Sequence, residues 1–158
     1  MNLNLSLSLK RLNTREIYLT MTLVVIGLSM HVLGPDNVLD TELFFTASEA
    51  DTFIRGLGIQ NMRAYFVNEI VDLLFLVTYS VLFFLLARRY YFRKTWLTFI
   101  PGIFDLIETT TIILLLQNKS YASPIWLGYV TCLKWTTGSI AVTAIVAGFI
   151  RQRQTHMR

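Results

Sequence analysis

Cysteine, histidine and charge are all scarce in this chain. Its single cysteine, Cys132, excludes an intrachain disulfide and any CxxC redox or zinc motif. The two histidines, His31 and His156, lie at opposite ends of the sequence, so no His/Cys ligand set for zinc is expected. Charged residues make up 15% of the chain, against about 25% in an average soluble domain. Internal repeats, low-complexity segments and a second domain are also missing, so residues 1–158 are expected to form one unit. The net charge of +4 does not point to nucleic acid. The basic residues flank apolar runs, which makes anionic lipid headgroups the expected partner.

What the sequence does have is apolar surface: 54% hydrophobic residues and a mean hydropathy of +0.52. Four runs of spanning length occur at about 17–34, 65–87, 97–116 and 125–150. About 20 such residues cross the hydrocarbon core, and in lipid the backbone must satisfy itself, so each run is expected to be a helix. The fold expected is an all-α, polytopic four-helix membrane bundle. The first run is long and no A-x-A-like site follows it, so it is read as a retained span and not a cleaved signal.

Lys10, Arg11 and Arg15 precede the first run. Arg88, Arg89, Arg93 and Lys94 separate the second and third, and Arg151, Arg153 and Arg158 follow the fourth. The positive-inside rule then puts both termini in the cytoplasm. Tyr90, Tyr91 and Trp96 would mark the inner boundary and Tyr65, Tyr121 and Trp126 the outer one. In the first loop, Thr46 and Glu49 form a capping-box pattern for a short helix at about 46–56. Phe53, Ile54 and Leu57 would turn toward the membrane surface. The plainer alternative is a packed loop that covers the bundle.

The third run contains two acids, Asp105 and Glu108, in "PGIFDLIETTTIILLL". Each costs about 2.5 to 3.5 kcal/mol at a helix centre, and each Leu, Ile or Phe returns roughly 0.3 to 0.6 kcal/mol. Twelve such residues nearly balance the two acids, so this span needs partners. Asp105 and Glu108 share a helix face. Asp72, Asn68, Glu69 and Tyr79 stand on one face of the second span, and Lys134 stands on the fourth. Depth counts place Asp72, Glu108 and Lys134 in one layer. Three acids facing one lysine would leave a charge of about −2. That charge calls for a bound proton, or for a hard cation such as Ca²⁺ or Mg²⁺ on the carboxylates. No other cofactor is expected. Thr109 begins a run of three threonines able to hydrogen-bond locally or line a polar cavity. Thr137, Ala141, Ala144 and Gly148 form a small-residue stripe suited to close helix packing, within the chain or in a homodimer or larger membrane complex.

"LLFLVTYSVLF" preceded by Asp72, "FDLIE" at 104–108 and "LKW" at 133–135 together resemble a family of small bacterial four-span membrane proteins of uncharacterised function. The resemblance covers spans two to four and implies Asp72, Tyr79, Asp105, Glu108 and Lys134 as a set in a bacterial cytoplasmic membrane. It carries no activity. Asn often follows the Glu in those relatives, whereas Thr109 stands there in this chain. The layout is also similar, in architecture alone, to the sterol-isomerase and sigma-2-receptor fold group.

Three functions fit these residues. The first is an intramembrane site for a hydrophobic, partly polar ligand such as a lipid or isoprenoid. Asp105 or Glu108 would act there as acid or donor, with Asp72 as partner, Lys134 orienting the pair, and Asn68, Glu69, Tyr79 and Thr109 lining the site. The second is a non-catalytic subunit or assembly factor whose charges fix helix packing. The third is a proton- or cation-coupled transporter, without the broken helices or repeat symmetry common in that class. A closed network with Lys134 within about 4 Å of a carboxylate would favour the second.

Overall fold

The computed structural model describes residues 14–33, 38–90, 95–118 and 120–155. Lys10, Arg11, Gly34, Asp36, Tyr91, Arg93, Lys94, Lys119, His156 and Arg158 lie outside them. The described residues form helices and connecting segments, with no strand among them. The α-helices are α1 (Thr14–Leu33), α2 (Ala47–Gly56), α3 (Ile59–Tyr90), α4 (Ile100–Gln117) and α5 (Leu127–Thr155). Short 3-10 turns cover Leu39–Thr41 and Thr95–Phe99.

Helices α1, α3, α5 and the continuous Thr95–Gln117 segment containing α4 are each long and apolar enough to cross a membrane. All four expected spans are present. α3 is longer than expected, with 32 residues that extend about 48 Å. It begins in the polar turn Ile59, Gln60, Asn61, which no Pro or Gly interrupts, and so it projects past the apolar run. Pro101 falls in the first turn of α4, where its missing N–H costs little. α3, α4 and α5 pack on one another, and α1 packs mainly on α3. Arg15, Arg88, Arg89 and Arg151 stand at one end of the spanning helices, here called the basic end. α2 covers the opposite end.

α2 has the expected cap. Thr46 Oγ1 accepts from the Glu49 N–H at 3.3 Å, and Glu49 Oε2 accepts from the Thr46 N–H at 2.7 Å. Its apolar face corrects the membrane-surface expectation. Ala50 and Ile54 are buried in a core with Tyr65, Ile112, Leu115 and Leu127, and Phe53 and Leu57 pack against that core. α2 is a lid on the bundle. The end of α4 and the start of α5 leave aliphatic side chains that this face helps to cover, and burial gains about 25 cal/mol per Å². Tyr65 is corrected with it. It is not a boundary aromatic but fully buried, accepting the Leu39 N–H at its hydroxyl at 3.0 Å.

The segment before α2 lies along α5. Trp135 Nε1 donates to the Glu42 carbonyl at 3.1 Å. α2 itself is tied to the connection before α5, where Asp51 Oδ1 accepts the Ser123 N–H at 2.7 Å. Gly128 of α5 touches the backbone of Phe45 so closely that any Cβ would collide with the Phe45 carbonyl. Glycine is required there for contact, not for backbone freedom. In the small-residue stripe, Ala141 and Gly148 are buried within the chain.

Candidate functional site

Three helices bring ionisable side chains together beneath the α2 lid. α4 contributes Asp105, Glu108 and Thr109, all buried, because residues three and four apart share a face. α5 contributes Thr131 and Lys134 by the same spacing. α3 contributes Asn68, Glu69 and Asp72, all buried, and the half-buried Tyr79. Lys134 stands seven residues into α5, about 10 Å along its axis.

Lys134 is the centre of the site. Its Nζ lies 3.3 Å from Asp105 Oδ1 and forms a closer ion pair with Glu108 Oε2. The Glu108 side chain is completely buried, and those of Asp105 and Lys134 are only 7% and 11% exposed. Three hydroxyls complete the carboxylates. Tyr79 Oη donates to Asp105 Oδ2 at 2.8 Å, and Thr109 Oγ1 donates to Asp72 Oδ2 at 2.9 Å. Thr131 Oγ1 donates to Glu108 Oε1 in a short hydrogen bond. The Lys134 ammonium also sits 5.4 Å from the centroid of the Trp135 ring. Each of Asp72, Asp105 and Glu108 is thus held by a side chain from another helix.

Gly102 makes the Tyr79 contact geometrically accessible. A Cβ there would run into the Ser80 side chain and come within 3.8 Å of the Tyr79 hydroxyl. Its absence lets α4 approach α3 one turn from Asp105.

The residues expected as a set therefore do meet: Asp72, Tyr79, Asp105, Glu108, Thr109 and Lys134 take part in these contacts. Asn68 and Glu69 are buried on the same side of α3, one turn from Asp72 toward α2. Thr131 was not singled out from the sequence. The available signal was its position three residues before Lys134, on the face that includes Leu127. Glu16 was also missed. It is buried near the start of α1 and pairs with Arg89 Nη1 at 2.5 Å. An acid beside Arg15 in an otherwise basic leader was its only mark.

The balance of charge is uneven. Among the described residues the spanning helices bury Glu69, Asp72, Asp105 and Glu108, and Lys134 engages the last two. Buried carboxylates hold together only with close, complete partners. Where a cation would bridge Asp105 and Glu108, the Lys134 ammonium stands. Among the described residues no group of three or more His, Cys, Asp or Glu is arranged to hold a metal ion.

Comparison with protein-family models, with curated proteins and with solved structures gives no match.

Proposed function

We propose that this chain is a non-catalytic integral membrane protein, a subunit or assembly partner in a membrane complex. Its acid–lysine layer acts as a lock that fixes the register of α3, α4 and α5. One observation carries the reading: Lys134 engages Asp105 and Glu108 together, while Tyr79, Thr109 and Thr131 close on the three carboxylates from neighbouring helices. Side chains of the chain itself engage the carboxylates to which a ligand would otherwise bind. The exposed apolar faces of α1 and α5 are then available to lipid and to partner helices. The clustering of Arg15, Arg88, Arg89 and Arg151 supports a cytoplasmic basic end, with α2 on the far side. The resemblance in "FDLIE" and "LKW" supports a bacterial cytoplasmic membrane.

A second reading keeps the layer as a site for a lipid or isoprenoid with a polar end. It is favoured by the number of buried acids: Glu69 and Asp72 lie on α3 besides the two that Lys134 engages, more acid than a register lock needs. Its ligand would break the Tyr79–Asp105 hydrogen bond from the side, where Tyr79 is half-buried.

Asp105→Asn and Glu108→Gln separate the two readings. Each variant and the wild type would be purified in mild detergent, with thermal unfolding and lipid-retaining mass spectrometry run on each. The lock predicts lowered midpoints with an unchanged lipid complement. Unchanged midpoints with loss of one specific lipid would reject the lock in favour of the ligand site.

A further inference from the structure

We propose that the basic end of the bundle carries a binding site for the phosphodiester headgroup of an anionic phospholipid, with Arg88 as its free cation. This site is separate from the acid–lysine layer and does not depend on how that layer functions. A shallow, open cleft of about 570 Å³ is lined by Glu16 of α1 and by Leu85, Arg88 and Arg89 of α3.

The two arginines are not equivalent. Arg89 is committed, with Nη1 2.5 Å from Glu16 Oε2 and its guanidinium 5.4 Å from the centroid of the Tyr90 ring. Arg88 is exposed and has no ion pair or hydrogen bond among the described residues. Among the described residues, one acid against two arginines leaves the lining with a single net positive charge. That charge matches a singly charged phosphodiester better than a polyphosphate. A guanidinium fork fits two phosphate oxygens at once.

The position favours lipid over a soluble anion. Arg88 is in the last turn of α3, where a spanning helix leaves the hydrocarbon, and Leu85 lies one turn inward. A headgroup on Arg88 would set its acyl chain against Leu85, and the neighbouring helix α1 has exposed apolar residues such as Ile17 and Met21. Basic pockets between spanning helices take lipid headgroups by this arrangement. Inorganic phosphate shares the anion chemistry but makes no use of the apolar wall.

The test uses the full chain in a neutral detergent and native mass spectrometry with added phosphatidylglycerol or phosphatidylcholine of matched acyl chains. Wild type is expected to retain phosphatidylglycerol preferentially. Arg88→Gln should weaken that retention about fivefold, the contribution of one basic residue near an anionic surface. Arg88→Lys keeps the charge without the fork and should fall between the two. Arg55→Gln, an exposed arginine on α2, should leave retention unchanged. Equal thermal midpoints would establish that the variants are folded, and Arg88→Lys carries the test if Arg88→Gln is not. Equal retention by wild type and the folded Arg88 variants would overturn the proposal, as would an equal loss in Arg55→Gln. Millimolar inorganic phosphate should not displace the lipid. Displacement would reduce the site to a simple anion site and overturn the lipid assignment.

Discussion

α4 and α1 are both apolar helices at the scale of a membrane crossing, and they are held in opposite ways. In an 18-residue apolar stretch of the segment that contains α4, 44% of the residues are buried inside the protein; in the corresponding stretch of α1, only 6% are. α4 carries Asp105 and Glu108 near its middle, and these are completed by Lys134, Tyr79 and Thr131 from two other helices. α1 presents Met21, Val25, Leu28 and Val32 outward and is tied at its basic end by Glu16 to Arg89. The difference follows from where each helix can satisfy its side chains. Hydrocarbon solvates the apolar flank of α1 as well as protein would, because association of helices in lipid gains little from the hydrophobic effect. Hydrocarbon cannot solvate the acids of α4, so that helix depends on its neighbours. Stability should therefore concentrate in the acid layer and fall away toward α1.

The strongest way to break this contrast is Lys134→Met. It leaves Asp105 and Glu108 buried without their cation, a loss of about 3–5 kcal/mol. Thermal unfolding in detergent should show a large drop in midpoint. The triple variant Asp105→Asn, Glu108→Gln, Lys134→Met removes the charges together and should recover most of that loss. A wild-type midpoint for Lys134→Met alone would show that the layer does not stabilise the bundle. Gly128→Ala is expected to cost about 1–3 kcal/mol by overpacking, because the new Cβ meets the rigid backbone of Phe45. Its readout is local: faster proteolysis in the segment before α2, with the α3–α4–α5 layer retained. Equal protease resistance would mean that the first loop adapts at no cost.

Two smaller changes sharpen the comparison. Thr131→Val keeps the shape of the side chain and removes the donor to Glu108, while Lys134 stays engaged. The expected loss is about 1.5 kcal/mol, the low end for a hydrogen bond to a charged group. Glu16→Gln breaks an ion pair whose arginine side chain is 31% exposed, so about 0–1 kcal/mol is expected. α1 should remain inserted in that variant, as cysteine accessibility along the helix would report. If Glu16→Gln lowered the midpoint more than Thr131→Val, α1 would be a structural helix and the contrast would fail.

Most of this architecture is legible in the sequence because the two signals behind it are local. Spanning length and basic flanks identify the helices, and three-residue spacing puts Asp105 with Glu108 on one face. The energy balance of the third run already required partners, and Lys134 was the only lysine in a span available to supply them. What the sequence could not show depends on contact between distant segments. Ile54 and Phe53 have the same pattern whether they meet lipid or the ends of α4 and α5. Tyr65 reads as a boundary aromatic until α2 is known to cover it. The pairing of Glu16 with Arg89 spans 73 residues and has no periodicity to announce it. Thr131 resembles any other threonine of a spanning helix, and only the placement of Glu108 opposite it gives its hydroxyl a role.

The smallest effect concerns a carboxylate wholly in water, the opposite limit from Glu108. Glu49 accepts hydrogen bonds from the Thr46 backbone N–H and from the Thr46 hydroxyl, at 2.7 and 2.9 Å, and these hold its carboxyl below the usual carboxylate range. A group whose folded value is depressed contributes stability above its unfolded value and loses it as the pH falls through the folded one. The cap on α2 should therefore be intact at neutral pH and weaken progressively below the ordinary range of a glutamate. Hydrogen exchange of the first-turn amides of α2 would follow it, with faster exchange on acidification than chemistry alone predicts. Glu49→Gln cannot ionise and should remove that pH dependence while leaving the buried layer untouched. An unchanged acid response in Glu49→Gln would remove the Thr46–Glu49 cap as its source.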